Sequence, residues 1–304
     1  MTNFKSFASL VLTATIAPAL PAETHCPGNV ASLPFRLVNR HLIVLAVSIN
    51  HTGPYNFQLD TGTQITMIDP SLAAGLHLET QGAAIVAGAG SRQSASIAKL
   101  DLLEAGSRSV ANQRVLVYDL QNLQSADLHI QGILGEDFLE HFDMLIDNAH
   151  SLLCLDDTGA MRAGVKGTHI PLVAPAEQAN GAALPGLLII AAHLTDGTRP
   201  VRLMLDSGAN APILYNTSQY MALQLSQTVS LRGTSVDGAQ RIFSALPPQN
   251  VKIGALELSG VPFFSLAGTQ KDSLTKGFDG VLTMGLFRRV FIDHVDHFAV
   301  FEPR

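Results

Sequence analysis

The sequence predicts a mainly β protein made of two similar lobes, on two grounds: its composition and an internal repeat. Of 304 residues, 47% are hydrophobic and 14% charged, enough apolar material to bury one large core or two moderate ones, which excludes disorder for most of the chain. Trp is absent, and Val, Ile, Leu, Thr and Ser recur in short runs broken by Gly and Pro, the pattern of strands and turns. The net charge is −6 and Lys and Arg nowhere cluster, so there is no basic field for a nucleic-acid partner.

The repeat carries the lobe assignment. Phe57-Gln58-Leu59-Asp60-Thr61-Gly62 returns as Leu203-Met204-Leu205-Asp206-Ser207-Gly208, an offset of 146 residues (206 − 60). Gly106 precedes Gly132 by the same 26 residues that separate Gly254 from Gly280. Asp147 follows Asp60, and Asp293 follows Asp206, by 87 residues each. Landmarks that agree in type, order and spacing imply two copies of one unit of ordinary domain size. The expected division is residues 23–155, a polar turn-rich connector over 156–165, and residues 166–304, the second copy carrying an extra loop near Glu177 to Pro185.

Ahead of the first copy, Lys5, the apolar stretch Phe7 to Ile16 and the small-residue zone ending at Pro21-Ala22 predict a signal peptide over residues 1–22, hence an exported protein, periplasmic or secreted. That stretch falls short of the roughly 20 apolar residues a membrane span needs, so no stable span is expected. A lipid anchor on Cys26 would need small residues before it, and Thr24-His25 stand there instead. Cys26 and Cys154 would both enter an oxidising compartment, where one disulfide is expected, two free buried thiols being the alternative.

Each copy opens with a predicted hairpin. "HLIVLAVSIN" and "YNFQLD" flank a turn placed at His51-Thr52-Gly53-Pro54, and "LLIIAAHL" and "PVRLMLD" flank Thr195-Asp196-Gly197-Thr198, so each acid ends a strand. Short helices are expected at "EDFLEHF" and "MGLFRRV", each followed by a further strand.

At a strand end, Asp-[Thr/Ser]-Gly is a chemical device. Gly allows a tight turn that brings amides to the carboxylate, and the neighbouring hydroxyl braces the loop. Two lobes related by a pseudo-twofold axis would set Asp60 against Asp206. Two close carboxylates cannot both ionise cheaply, so they share a proton and offer an acid and a base at one pH. That suits hydrolysis of a peptide bond by an activated water, with no metal, cofactor or covalent nucleophile.

These motifs make the chain resemble the pepsin-like and retropepsin-like aspartic peptidases, in a two-lobed bacterial form, over nearly all of the mature sequence. The family has apolar-Asp-[Thr/Ser]-Gly, then a hairpin flap, then an apolar-apolar-Gly segment in each lobe. Here Leu59-Asp60-Thr61-Gly62, Leu205-Asp206-Ser207-Gly208 and Ile133-Leu134-Gly135 match. The resemblance implies a two-lobed acid-protease fold of β-barrel lobes, Asp60 and Asp206 as the catalytic pair, and Thr61 and Ser207 as inter-lobe braces, with Gly62, Thr63 and Gly208 supporting the loops. It also implies a peptide or protein substrate. Since one chain carries both lobes, a monomer is expected.

The sequence departs from the family at two places, and its two triplets differ from each other at a third. Val281-Leu282 is followed by Thr283 instead of Gly, where a β-branched side chain is expected to crowd the loop, which keeps open a catalytically impaired peptide-binding module as the alternative. The flap segments "AGAGSRQ" and "RGTSVDGAQ", with Gly88, Gly90, Gly233 and Gly238 as candidate hairpin tips, lack the Tyr of pepsin's flap. Thr63 can donate to Asp60, whereas its counterpart Ala209 has no hydroxyl for Asp206.

Motifs for other chemistries are missing: there is no Gly-x-Ser-x-Gly, His-Glu-x-x-His or Gly-x-x-x-x-Gly-Lys. Asp293-His294-Val295-Asp296-His297 reads as a turn between strands, not a metal site, because its repeat partner is Asp147-Asn148-Ala149-His150. Asp137 and Asp143 are expected as solvated surface charges.

Overall fold

In the computed structural model, which describes residues 25–38, 41–88, 91–124, 128–173, 186–195, 199–215, 230–234, 240–266 and 277–304, the apolar runs form strands throughout. Strands Leu42–Ile49 and Thr52–Leu59 make the first hairpin, with Leu45 opposite Phe57 and Val44 opposite Gln58. The turn between them is Asn50-His51, not the predicted His51 to Pro54. Both residues have positive φ, +48° and +64°, the two-residue geometry whose twist matches that of paired strands, and Gly53 and Pro54 lie inside the second strand. Strands Ile189–Leu194 and Val201–Asp206 repeat the hairpin, with Ile190 opposite Leu203.

Nine strands of each lobe follow one order. The first sheet runs Thr80–Gly88, Ser91–Lys99, Arg114–Val117, Met67–Ile68, Gly132–Leu134, Thr52–Leu59, Leu42–Ile49, Leu102–Ala105, Arg108–Ala111, with Arg36–Val38 added beside Leu42–Ile49. The second runs Ser230–Thr234, Gln240–Ala245, Phe264–Leu266, Ile213–Leu214, Gly280–Thr283, Val201–Asp206, Ile189–Leu194, Gln249–Ile253, Leu256–Val261. Each curls into a half-barrel, and the whole is the mainly β, two-lobed pepsin-like architecture expected from the sequence.

A third sheet joins the lobes: Ser32–Pro34, Leu152–Asp156 and Asp143–Asp147 from the first half, then Phe287–Asp293, Phe298–Pro303 and Ile170–Pro171 from the second. Its central register pairs Met144 with Ile292, Leu145 with Phe291 and Ile146 with Val290. Residues 144 to 146 correspond to 290 to 292 in the repeat, so the pairing is self-complementary and the pseudo-twofold passes at Leu145 and Phe291. One buried cluster, including Phe57, Leu59 and Leu134 from one lobe and Leu203, Leu205 and Leu282 from the other, makes the core continuous beneath the triplets.

Three further features differ from expectation. The second helix is only a 3-10 turn, Met284–Leu286, because Phe287 is fully buried and starts the long strand that crosses the twofold; the first, Glu136–Leu139, is an α-helix. The connector contains a helix, Ala160–Gly164, whose Met161 amide donates to the carboxylate of Asp156 at 2.7 Å. Asp143 is 3% exposed, and with Asp293 and Asp296 it surrounds the guanidinium of Arg162 at 3.0, 2.6 and 2.9 Å, so one connector cation ties acids of both halves. Cys26 and Cys154 are joined by a disulfide, with Cα atoms 5.8 Å apart, which ties the start of the described chain to that central sheet. Residues 1–22, Gly90, Gly238 and the Glu177 to Pro185 loop lie outside the described residues. No helix among the described residues is long and apolar enough to cross a membrane.

Candidate active site

Each triplet leaves the end of a strand that is clamped on both sides. Gly132–Leu134 runs parallel to Thr52–Leu59 and antiparallel to Met67–Ile68, and the Asp60 amide donates to the carbonyl of Leu134 at 3.1 Å. Gly280–Thr283 lies likewise between Val201–Asp206 and Ile213–Leu214. The loops after Asp60 and Asp206 are therefore short spans between fixed ends.

The two loops then cross-brace. The Thr61 hydroxyl donates to the Leu205 carbonyl and accepts from the Ser207 amide, both at 3.0 Å. The Ser207 hydroxyl donates to the Leu59 carbonyl at 3.0 Å and accepts from the Thr61 amide at 3.1 Å. Thr61 is 0% and Ser207 3% exposed, so these four bonds have no competition from water.

Glycine is required next because each loop passes against the opposite carboxylate. A Cβ on Gly62 would stand 2.7 Å from Asp206 Oδ2, and one on Gly208 2.6 Å from Asp60 Cγ. Asp60 Oδ1 accepts from the Gly62 amide at 2.9 Å and Oδ2 from the Thr63 hydroxyl at 2.9 Å. Asp206 Oδ1 accepts from the amides of Gly208 and Ala209 at 2.7 and 2.9 Å.

Electrostatics separate the two acids. Burial raises Asp60 above the usual carboxylate range, but donors from Thr63 and Gly62 oppose the rise. Asp206 is pushed well higher, by burial and by the charge of Asp60, with only backbone donors to favour its ionised form. Two buried, facing carboxylates favour sharing one proton, with Asp206 the member of higher proton affinity, so the arrangement can offer an acid and a base between the two lobes.

Thr283 does not crowd the loop. Its hydroxyl donates to the Ala209 carbonyl at 2.7 Å. In the first lobe the corresponding carbonyl, of Thr63, accepts instead from the Glu136 amide at 2.8 Å. There Gly135 is needed, since a Cβ on it would lie 2.8 Å from the Thr63 carbonyl oxygen. Side chain in one lobe and backbone in the other satisfy the same acceptor.

The expected flap segments are hairpins. Gly88 ends its strand opposite Ser91, and Gly233 lies opposite Arg241. Ile85 and Ile242 on these hairpins are 70% and 53% exposed. The cluster around Asp293 is a turn, with Asp293 accepting from the amides of Val295 and Asp296 at 3.0 and 2.7 Å. No group of three His, Cys, Asp or Glu among the described residues could hold a metal ion.

Several supporting residues escaped sequence reasoning. Asp137, expected on the surface, accepts from the amide and hydroxyl of Thr66 at 2.8 and 2.7 Å, and the Thr66 hydroxyl accepts from the Gly135 amide at 3.1 Å. Tyr215, edge-on to Phe278, has its phenol pushed up, chiefly by burial. Glu136 and His294 form a buried pair described below. A run of charge directly after Ile133-Leu134-Gly135 was the available signal for Glu136 and Asp137; the Asp293-to-His297 cluster singled out His294 as part of a turn but not as the partner of Glu136, and nothing local marks Tyr215.

Residues 45–138 match the family model described as aspartyl protease, a span holding the Asp60 triplet, the first flap hairpin and the Gly132–Leu134 strand. No curated protein matches the chain. With the two curled half-barrels, this match bears out the resemblance to the aspartic peptidases and supports a protease-type function at that coarse level.

Proposed function

We propose that this aspartyl-protease-like chain is an endopeptidase that hydrolyses peptide bonds with a water activated between Asp60 and Asp206. Ionised Asp60 takes a proton from the water as its oxygen attacks the peptide carbonyl. The proton on Asp206 stabilises the developing oxyanion, and proton return to the amine completes cleavage. The supporting observation is the crossed set of bonds between Thr61 and Ser207, which holds each carboxylate against the opposite lobe's glycine. An extended peptide lying between the lobes, beneath the two hairpins, is the substrate class that fits. The disulfide supports an exported, periplasmic or secreted protein, and two lobes sharing one sheet and one core support a monomer.

The test is digestion of a denatured protein from acidic to neutral pH by wild type, Asp60→Asn and Asp206→Asn. Cleavage by wild type and its loss in both variants is the expected result. Binding of a statine-type transition-state mimic with no cleavage at any pH would favour the peptide-binding module.

A further inference from the structure

Behind the Asp60 loop lies a buried acid that the hydrolytic step does not use. Glu136, 0% exposed, opens the helix Glu136–Leu139, and its amide holds the carbonyl of Thr63, whose hydroxyl in turn donates to Asp60. Its side chain reaches into the other lobe, where Oε2 lies 3.2 Å from His294 Nε2; Oε1 has no hydrogen-bond partner among the described residues. His294 Nδ1 lies 2.6 Å from the Phe142 carbonyl, which can only accept, so Nδ1 carries a proton. The contact between Nε2 and Oε2 therefore needs one further proton, on either atom. Without it, a carboxylate faces an imidazole lone pair.

The duplication supplies an internal control. The counterpart of His294 is Asn148, whose Nδ2 donates to the carbonyls of Met284 and Phe287 at 3.2 and 3.1 Å. The same cross-lobe brace is thus made on the Asp206 side with no titratable group. The charges facing the pair are Glu140, which caps the same helix, and Asp60 on its loop, toward Glu136, and Asp143, itself bonded to Arg162, toward His294. All three carboxylates favour keeping the proton. Burial pushes Glu136 up to about 7 against the opposing effect of His294; burial lowers His294, but the bond and charge of Glu136, the bond to Phe142 and the charge of Asp143 together outweigh it and raise His294.

We propose that Glu136 and His294 are a proton-dependent positioning pair: one proton shared between Oε2 and Nε2 latches the lobes behind Asp60, and its loss at higher pH releases Thr63 and the Asp60 loop. The kinetic consequence rests on the peptidase proposal; the titration of the pair does not.

The test compares wild type with Glu136→Gln, whose amide can pair with Nε2 at any pH, donating its N–H to neutral imidazole or accepting through its carbonyl from imidazolium. Histidine nitrogen NMR should show His294 titrating at least one pH unit lower in the variant, and thermal scans should show a smaller drop in midpoint between pH 5 and pH 8. In kcat/KM, the alkaline limb should move up by half a unit or more. Unchanged titration and thermal profiles would overturn the pair, even if no substrate is ever cleaved. A changed titration with an unmoved alkaline limb in an active enzyme would overturn its positioning of Asp60.

Discussion

Replacing Thr61 with Val keeps its shape and removes one hydroxyl at the centre of the lobe contact. That hydroxyl donates to Leu205 and accepts from Ser207, and Thr61 is fully buried. Each bond contributes about 1 kcal/mol net, and each partner left unpaired in a buried site costs about 1–3 kcal/mol, so Thr61→Val is expected to destabilise by roughly 2–4 kcal/mol. With a urea slope of about 3 kcal/mol/M, the midpoint falls by about 1 M. Equilibrium urea unfolding under non-reducing conditions reads this directly. Because Thr61 and Ser207 also accept from each other's amides, a cycle with Ser207→Ala should show coupling of at least about 0.5 kcal/mol. A loss below about 0.5 kcal/mol in the single variant, or strict additivity in the cycle, would refute the brace.

Thr63→Ala removes a donor that favours ionised Asp60, so the acid limb of the pH-rate profile should shift upward; an unchanged limb would show that the Thr63 bond does not tune the acid. Stability should also depend on pH. Asp60, Asp206, Glu136 and His294 are all raised in the folded state, so their stabilising contribution is complete below the unfolded values and is lost as pH rises through the folded ones, for Glu136 between 4.5 and about 7. Asp147 and Asp156 are lowered, burial being outweighed by their donors, and their contribution is lost in acid, as pH falls below 3.8. Calorimetric midpoints should therefore peak in mild acid and decline toward pH 8; a steady rise from pH 4.5 to 7 would contradict this. Changing Cys26 and Cys154 to Ser opens a closure of 128 residues, for which chain entropy sets a ceiling of about 5 kcal/mol, and the urea midpoint should fall by a clear fraction of that; no change would mean that the tie does not restrict the unfolded chain.

The duplicated halves solve the same local problem with different groups. A carbonyl after each triplet is satisfied by the Glu136 amide in one lobe and the Thr283 hydroxyl in the other. A residue in each turn of the joining sheet braces the opposite lobe, Asn148 on one side and His294 on the other. The differences fall around the dyad, where the Thr63 hydroxyl gives Asp60 a donor that Asp206 lacks and leaves the higher proton affinity on Asp206.

What the amino-acid sequence determined by itself was local and periodic: strands ending at Asp60 and Asp206, glycines for a tight turn after each acid, hydroxyls beside each acid, and a repeat with constant spacing. Turn chemistry and side-chain alternation act over a few residues, so they leave a readable trace in one dimension. The tertiary structure alone decided what meets across the lobes. The self-complementary register at Leu145 and Phe291, the engagement of Asp143 by Arg162, the accommodation of Thr283 and the pairing of Glu136 with His294 join residues brought together only by docking. Docking is set by the summed packing of two lobes, and no short stretch of chain encodes it.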